Sequence, residues 1–453
     1  GRAAAGNQPP LYFLLLDVVV AIGGDSPAVL RSPSLFAAAW LSLGLPLLLF
    51  RVTGKVSAGL VAAVFLAFDP DLIFYSIEAR PYAWIVLLAP LQAAAVAARF
   101  GLAGLGSPQR PSPRVRWAAI VATVALIWIH YTALVLVVAE GILLIVQTQL
   151  DPQRRRERWR NDHRSRQVAI DLAVIGVLIA PLLATLSRIV AHRADWGAFV
   201  TGDAAQAAPL LGLGVWGIAI PALMIGVERA VRLRWTRPRE VNHARTGTAS
   251  DESALRPFDT IGVAIFFGGS AVVAWGIAAA ATHWAGTPIL LDRYLIGTWS
   301  WVAIAAAMLI ASLRNEWFRP LVALGLAGWC VAGPETRAWY DTGHWPVHRI
   351  EPWAEVVREL ESPELNQRGV LLYAGLIEES RLIAEASPAD LEYLRFPLIG
   401  LADPQRIDPQ ASFPAATWPE GIGSKIDADG GIAIVVRDDP SSANIVMLPP
   451  IKI

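Results

Sequence analysis

The stretch Phe74 to Trp84, FYSIEARPYAW, sets Ser76, Glu78 and Arg80 between two apolar runs. A carboxylate and a guanidinium beside membrane-length apolar segments are costly unless they face water, a partner or a ligand. Proline has a fixed φ and no backbone donor, which suits the first position of a helix, so the apolar run from Pro81 to Arg99 is expected to start there. Arg80 then stands at a positive helix end, where free amides favour an anion and its own parallel donors match phosphate oxygens. Glu78 is a candidate proton acceptor. The plainer alternative is that Glu78 and Arg80 pair with each other in an exposed turn.

Other groups could join them. His130 and Tyr131 interrupt the long apolar stretch Trp117 to Gln149, and Asp292, Arg293 and Tyr294 (in LLDRY) precede another. Asp69 and Asp71 flank Pro70 and read as helix-terminating residues before they read as catalytic ones. Glu140, in mid-run, is expected to face the bundle interior with a partner. The seven histidines have no close ligand spacing, so no cofactor is expected with certainty, and a divalent metal is left open only for Glu78 with a further acid. The single cysteine, Cys330, cannot form an intramolecular disulfide.

Positioning these groups requires a helical membrane body. Of the 453 residues 55% are hydrophobic and 17% charged, and many of the 18 tryptophans flank apolar runs as an interfacial belt would place them. The 38 basic residues balance the 38 acidic ones, so no global field points to nucleic acid. Leu11 to Gly24 is too short to span comfortably and is expected to lie against or dip into the outer leaflet. Spans are expected at Pro33–Phe50, Val56–Tyr75, Pro81–Ala98, Val168–Ile189, Leu210–Gly226, Phe258–Ala281, Tyr294–Leu313 and Arg319–Gly333. Loops near residues 51 to 55, 99 to 116, 150 to 166, 228 to 257 and 314 to 320 carry 22 of the 38 Lys and Arg, which makes them cytoplasmic. An even number of crossings must then separate 99–116 from 150–166, so Trp117–Gln149 is predicted to be two short helices meeting at His130 and Tyr131, ten crossings in all. Glu78, Arg80, His130, the loop HRADWGAFVTGD from His192, and LLDRY then share the outer face.

From Pro334 the apolar runs shrink to strand length. Trp353 to Leu360 has helical spacing, VLLYA from Val370, IAIVV from Ile432 and NIVML from Asn444 read as strands, and EESRLIAEA from Glu378 as a helix. The expected fold is therefore a multi-span α-helical membrane body, residues 1–333, followed by a small soluble α/β domain, residues 334–453, on the outer, periplasmic side.

Four short motifs in order, QPPLYFLLL from Gln8, LRSPSLFAA from Leu30, YSIEARPYA from Tyr75 and DRYL from Asp292, carry a resemblance. The chain resembles the bacterial branch of the glycosyltransferase-C superfamily, in the group related to protein O-mannosyltransferases and lipid A sugar transferases. The resemblance covers residues 1 to about 313. It implies an enzyme of the bacterial inner membrane that takes a sugar from a polyprenyl-phosphate carrier and gives it to a lipid, glycan or protein acceptor on the outer face. It also implies a principal acid in a first outer loop, expected upstream of Gly1. Gln8 stands where that family often has histidine, and a glutamine serves neither as a base nor as a good metal ligand.

Glycosyl transfer from a phosphate needs a carboxylate for the attacking group's proton, cationic or dipolar stabilisation of the departing phosphate, and shelter from water. Glu78 is expected to serve the first need. Arg80 and Arg293 are expected to serve the second, with Tyr82, His130, Tyr131, Asp292 and Tyr294 binding substrate. The alternative is a transporter or flippase of lipid-linked sugars, which would place charged or broken helices near the bilayer midplane.

Overall fold

The computed structural model describes residues 9–24, 26–102, 112–150, 162–191, 218–219, 221–227, 259–284, 290, 292–333, 336–337, 340–341, 353–363, 365–366, 369–373, 402–409, 432–437 and 445–448. The chain divides into two compact units, Gly1–Trp345 and Pro346–Ile453.

The first unit is helical. Among the described residues four helices are long and apolar enough to cross a membrane: Pro27–Thr53, Tyr82–Phe100, Arg166–Ala184 (within Asp162–Ala191) and Thr260–Trp284. The chain is thus consistent with a helical membrane protein. The other apolar helices are shorter, so among the described residues fewer crossings meet the length criterion than the ten expected. In chain order the helices are α1 (Leu11–Gly23), α2 (Pro27–Thr53), α3 (Val56–Ala67), α4 (Pro70–Ile77), α5 (Tyr82–Phe100), α6 (Pro113–Ile129), α7 (Ala133–Leu150), α8 (Asp162–Ala191), α9 (Thr260–Trp284), α10 (Asp292–Leu295), α11 (Gly297–Ser312) and α12 (Phe318–Val331). The expected span at Leu210–Gly226 lies largely outside the described residues, as does the loop from His192.

Local sequence explains the boundaries. The middle of α2 widens into a π-helical turn at Trp40–Gly44, just before Pro46, whose missing N–H breaks the regular ladder. α2 ends on Gly54 at φ 67°, a left-handed conformation that glycine adopts without a Cβ penalty. The expected single span Val56–Tyr75 is two helices. Phe68 leaves the helical region and the Asp69 carboxylate accepts the Leu72 N–H at 2.6 Å, so Asp69 starts α4 instead of ending a span. Trp117–Gln149 is also two helices, as the charge pattern required: α6 ends at His130, which is extended at φ −158°, and α7 begins at Ala133.

The core of this unit is α11, packed against α9, α3 and α5, with every residue from Gly297 to Ala311 buried. A helix buried on all sides reads as apolar all round, and its small residues let neighbouring backbones approach. An ideal Cβ on Gly297 would stand 2.7 Å from Leu136 Cδ1 and 3.0 Å from Ile85 Cγ2, so the absent side chain lets α11 pack close to α5 and α7, and any larger residue has to displace the Leu136 methyl. Two polar contacts, one buried and one part-buried, tie further helices. Gln92 on α5 donates its Nε2 hydrogens to Thr123 Oγ1 on α6 at 3.1 Å and to Glu140 Oε2 on α7 at 2.8 Å. Gln92 is thus the interior partner expected for Glu140. The Asp171 carboxylate on α8 takes Arg99 Nη2 at 3.1 Å and Arg116 Nε at 2.5 Å, joining α8 to α5 and α6.

In the second unit the described residues include helix α13 (Trp353–Leu360) and strands β1 (Gly369–Tyr373), β2 (Ile407–Pro409), β3 (Ile432–Arg437) and β4 (Ile445–Leu448). They form one sheet in the order β2-β1-β3-β4. β1 pairs in parallel with β2 and with β3, Val370 opposite Ile407 and Ala433, and β4 pairs antiparallel with β3. Parallel neighbours need crossover connections. The helix expected from Glu378 lies outside the described residues.

Candidate functional site

The Glu78–Arg80 turn joins α4 to α5. Pro81 precedes the first helical residue, Tyr82, and its carbonyl accepts the Ile85 N–H at 3.1 Å, one position earlier than a first-turn proline would stand. Glu78 and Arg80 do meet, with Arg80 Nε 3.5 Å from Glu78 Oε2. The contact is single and long. The Arg80 side chain is 45% exposed, so its guanidinium keeps access to solvent or ligand.

The turn is held from behind by a hydrogen-bond chain. Ser34 Oγ on α2 donates to the Arg80 carbonyl at 3.0 Å, and Tyr12 on α1 lies 3.2 Å from Ser34 Oγ. A serine hydroxyl has one hydrogen, which goes to Arg80, so the Tyr12 O–H is the donor to Ser34. Both side chains are buried at 0% exposure. Tyr12, Ser34 and Arg80 belong to three separate sequence motifs. Sequence reasoning assigned no role to Tyr12 or Ser34, although both lie inside motifs it singled out.

On the helix side of the turn the aromatic rings form a ladder. Tyr75 and Tyr82 have centroids 4.5 Å apart, Tyr82 and His130 5.4 Å, and His130 and Tyr294 5.9 Å. The Arg293 guanidinium carbon lies 5.1 Å from the Tyr294 ring centre, a cation–π distance. Tyr82, His130, Arg293 and Tyr294, expected from separate segments, are therefore brought together, and Tyr75 joins them. Tyr131 is half-buried in the turn after His130, where its carbonyl accepts the Leu134 N–H at 3.0 Å. Asp292 opens α10, and its side chain lies outside the described residues.

The electrostatics of the ladder follow from its hydrogen bonds. His130 Nδ1 accepts the Thr132 N–H at 3.2 Å and stands 2.8 Å from Thr132 Oγ1, so a neutral ring carries its proton on Nε2. Burial, and then the charge of Arg293, lower the His130 pKa to about 4. The imidazole is therefore a neutral N–H donor at ordinary pH. Arg293 Nε has no hydrogen-bond acceptor among the described residues. Among the described residues no group of three His, Cys, Asp or Glu is placed to hold a metal ion.

One end of the helical unit thus offers a guanidinium with a spare donor, a neutral imidazole, phenol hydroxyls and flat ring faces. That set suits an anionic oxygen and a polyhydroxy ring together. No protein-family model, no curated protein and no solved structure matches the chain.

Proposed function

We propose that the chain is an integral-membrane glycosyltransferase that moves a sugar from a polyprenyl-phosphate carrier to an acceptor at the outer face of the membrane. The observation that carries the reading is the convergence of Tyr82, His130, Arg293 and Tyr294 on one ring ladder, beside the turn that bears Glu78 and Arg80. In this reading an acceptor hydroxyl attacks the anomeric carbon, the bond from that carbon to the phosphate oxygen breaks, and the phosphate leaves with the electron pair. Arg293 and Arg80 hold the phosphate oxygens, which gain charge as the bond breaks. The His130 Nε2–H and the tyrosine hydroxyls hold the sugar, and Glu78 takes or relays the acceptor's proton.

The finer organisation belongs to the same proposal. It is a multi-pass protein of a bacterial inner membrane, whose residues from 334 fold as a small α/β domain outside the cytoplasm. Lipid, glycan and protein acceptors are all compatible with the site as described.

The test is release of polyprenyl phosphate from a panel of labelled polyprenyl-phosphate sugars by the protein in membranes. Wild type is compared with Arg293→Ala, Arg80→Ala and Glu78→Gln. Sugar-dependent release that is lost in correctly inserted Arg293→Ala supports the reading. Release that survives all three substitutions removes the site, and no release from any donor in the presence of lipid, glycan and protein acceptors removes the activity.

A second reading, a transporter or flippase of lipid-linked sugars, is favoured by one observation: the Glu140 carboxylate and the Gln92 amide lie buried between helices. Movement of fluorescent polyprenyl-phosphate sugar across proteoliposomes without carrier release would select it.

A further inference from the structure

Below the ring ladder, three helices run in parallel and in step. Tyr82 faces His130, and Gln92 bonds Glu140, so α5 and α7 keep the same register over ten residues. α11 follows them: Tyr294 meets His130, and Gly297 sits against Ile85, Ala89 and Leu136. One helical turn further along the same faces, residue 297 leads to Trp301, residue 136 to Glu140, and residue 89 to Gln92 and Ala93. Gln92, Glu140 and Trp301 therefore lie near one depth in the bundle, about 10–15 Å from the ladder at 1.5 Å per residue.

All three side chains are buried, Gln92 and Glu140 at 1% exposure and Trp301 at 0%. Each has one polar atom without a hydrogen-bond partner among the described residues: Gln92 Oε1, Glu140 Oε1 and Trp301 Nε1. An unsatisfied buried polar atom is costly, so three near one level call for a common partner. The required partner has a defined chemistry. It must donate a hydrogen to the Gln92 oxygen, accept one from the Trp301 indole N–H, and bond Glu140 Oε1 as donor to a carboxylate or acceptor from a carboxyl. A metal cation or an ammonium ion has no lone pair for an indole N–H.

We propose that Gln92, Glu140 and Trp301 enclose a binding site for a single water molecule within the bundle. Thr123 keeps Gln92 in place: its hydroxyl donates to the Ala119 carbonyl at 2.8 Å and accepts one of the two Gln92 amide hydrogens. The other amide hydrogen goes to Glu140 Oε2, so the Gln92 Oε1 faces the task of accepting and nothing else. A water that donates to Gln92 Oε1, accepts from Trp301 Nε1 and bonds Glu140 Oε1 has the three bonds typical of structural internal water. It links α5, α7 and α11, the helices that also carry or directly follow Tyr82, His130 and Tyr294, and it gives the buried carboxylate an exchange partner for protons. The site does not depend on the activity proposed above.

The experiment uses the full chain in lipid nanodiscs. The ultraviolet resonance Raman difference between wild type and Trp301→Phe isolates the Trp301 indole from the other tryptophans. The infrared difference between ordinary and oxygen-18 water then looks for an isolated internal O–H stretch. The expected result is a hydrogen-bonded indole and an oxygen-18-sensitive stretch that is lost in Trp301→Phe. In Gln92→Met, which keeps the indole and the side-chain volume, the same stretch should shift upward as the water loses one acceptor. A free indole N–H in wild type overturns the proposal. So does a hydrogen-bonded indole with no oxygen-18-sensitive band, which would mean direct contact between protein groups.

Discussion

Ser34→Ala tests the chain that holds the Arg80 turn. The substitution removes the donor to the Arg80 carbonyl and the acceptor of the Tyr12 O–H in one step, without a large cavity. The Tyr12 hydroxyl is then a buried donor with nowhere to go, which costs about 1–3 kcal/mol, and the part-buried Arg80 carbonyl adds a smaller loss. The total is about 2–4 kcal/mol, or roughly 30- to 800-fold in the folding equilibrium at tenfold per 1.4 kcal/mol. Tyr12→Phe is different in kind. It removes the outer link but leaves Ser34 free to donate to Arg80, so it should cost about 1 kcal/mol. The double variant leaves no buried phenol hydroxyl to satisfy, so it should be no less stable than Ser34→Ala alone. Reversible unfolding in mixed micelles, followed by circular dichroism, gives all three values and closes the cycle. The reasoning fails if Ser34→Ala is no worse than Tyr12→Phe, or if the double variant loses the sum of the two single ones.

Gly297→Ala should destabilise by about 1–3 kcal/mol through overpacking against Leu136 and Ile85, and Leu136→Ala should recover part of that loss in the same unfolding assay. Asp171→Asn should cost about 3–5 kcal/mol, because it strips the carboxylate from Arg99, which is 3% exposed; a melting curve that matches wild type would refute the pairing. His130 should stay neutral and protonated on Nε2 at pH 6, in nitrogen-15 spectra assigned with His130→Gln, and should titrate near its lowered pKa of about 4. Its folded pKa lies below the unfolded value of about 6.5, so the unfolded chain binds the proton first and stability falls as pH drops from about 6.5 to about 4. Stability that rises over that interval, attributable to His130 by comparison with His130→Gln, would contradict the burial.

How far the sequence reveals this molecule differs from one element to the next. The break at His130 is legible because orientation charges on both sides demand an even number of crossings. The break at Asp69 is not, since an Asp-Pro pair ends one helix as readily as it caps the next, and only the Leu72 N–H at 2.6 Å decides between them. Tyr82, His130, Arg293 and Tyr294 can be picked out singly as polar groups beside apolar runs. Their sharing of one ladder is a property of helix register, which no local pattern encodes. Ser34 and Tyr12 were hidden for another reason: a serine and a tyrosine inside apolar helices look alike whether they bond a neighbouring turn or their own backbone. Gln92 was missed as the partner of Glu140 because the two lie 48 positions apart on separate helices.

α11 has a consequence for how the chain is made. Its 16 residues include Thr298, Ser300 and Ser312, and from Gly297 to Ala311 it has no side left for lipid. A stretch of that length and polarity is a poor candidate for settling in a bilayer by itself. Its main neighbours α3, α5 and α9 all precede it in synthesis and only α12 among its packing partners follows, so most of its berth is built before it arrives. Arg293 and Tyr294 immediately precede it. The ring ladder is therefore finished only when the bundle closes, and a nascent chain stalled before that point carries most of the lipid-exposed helices but no complete cluster.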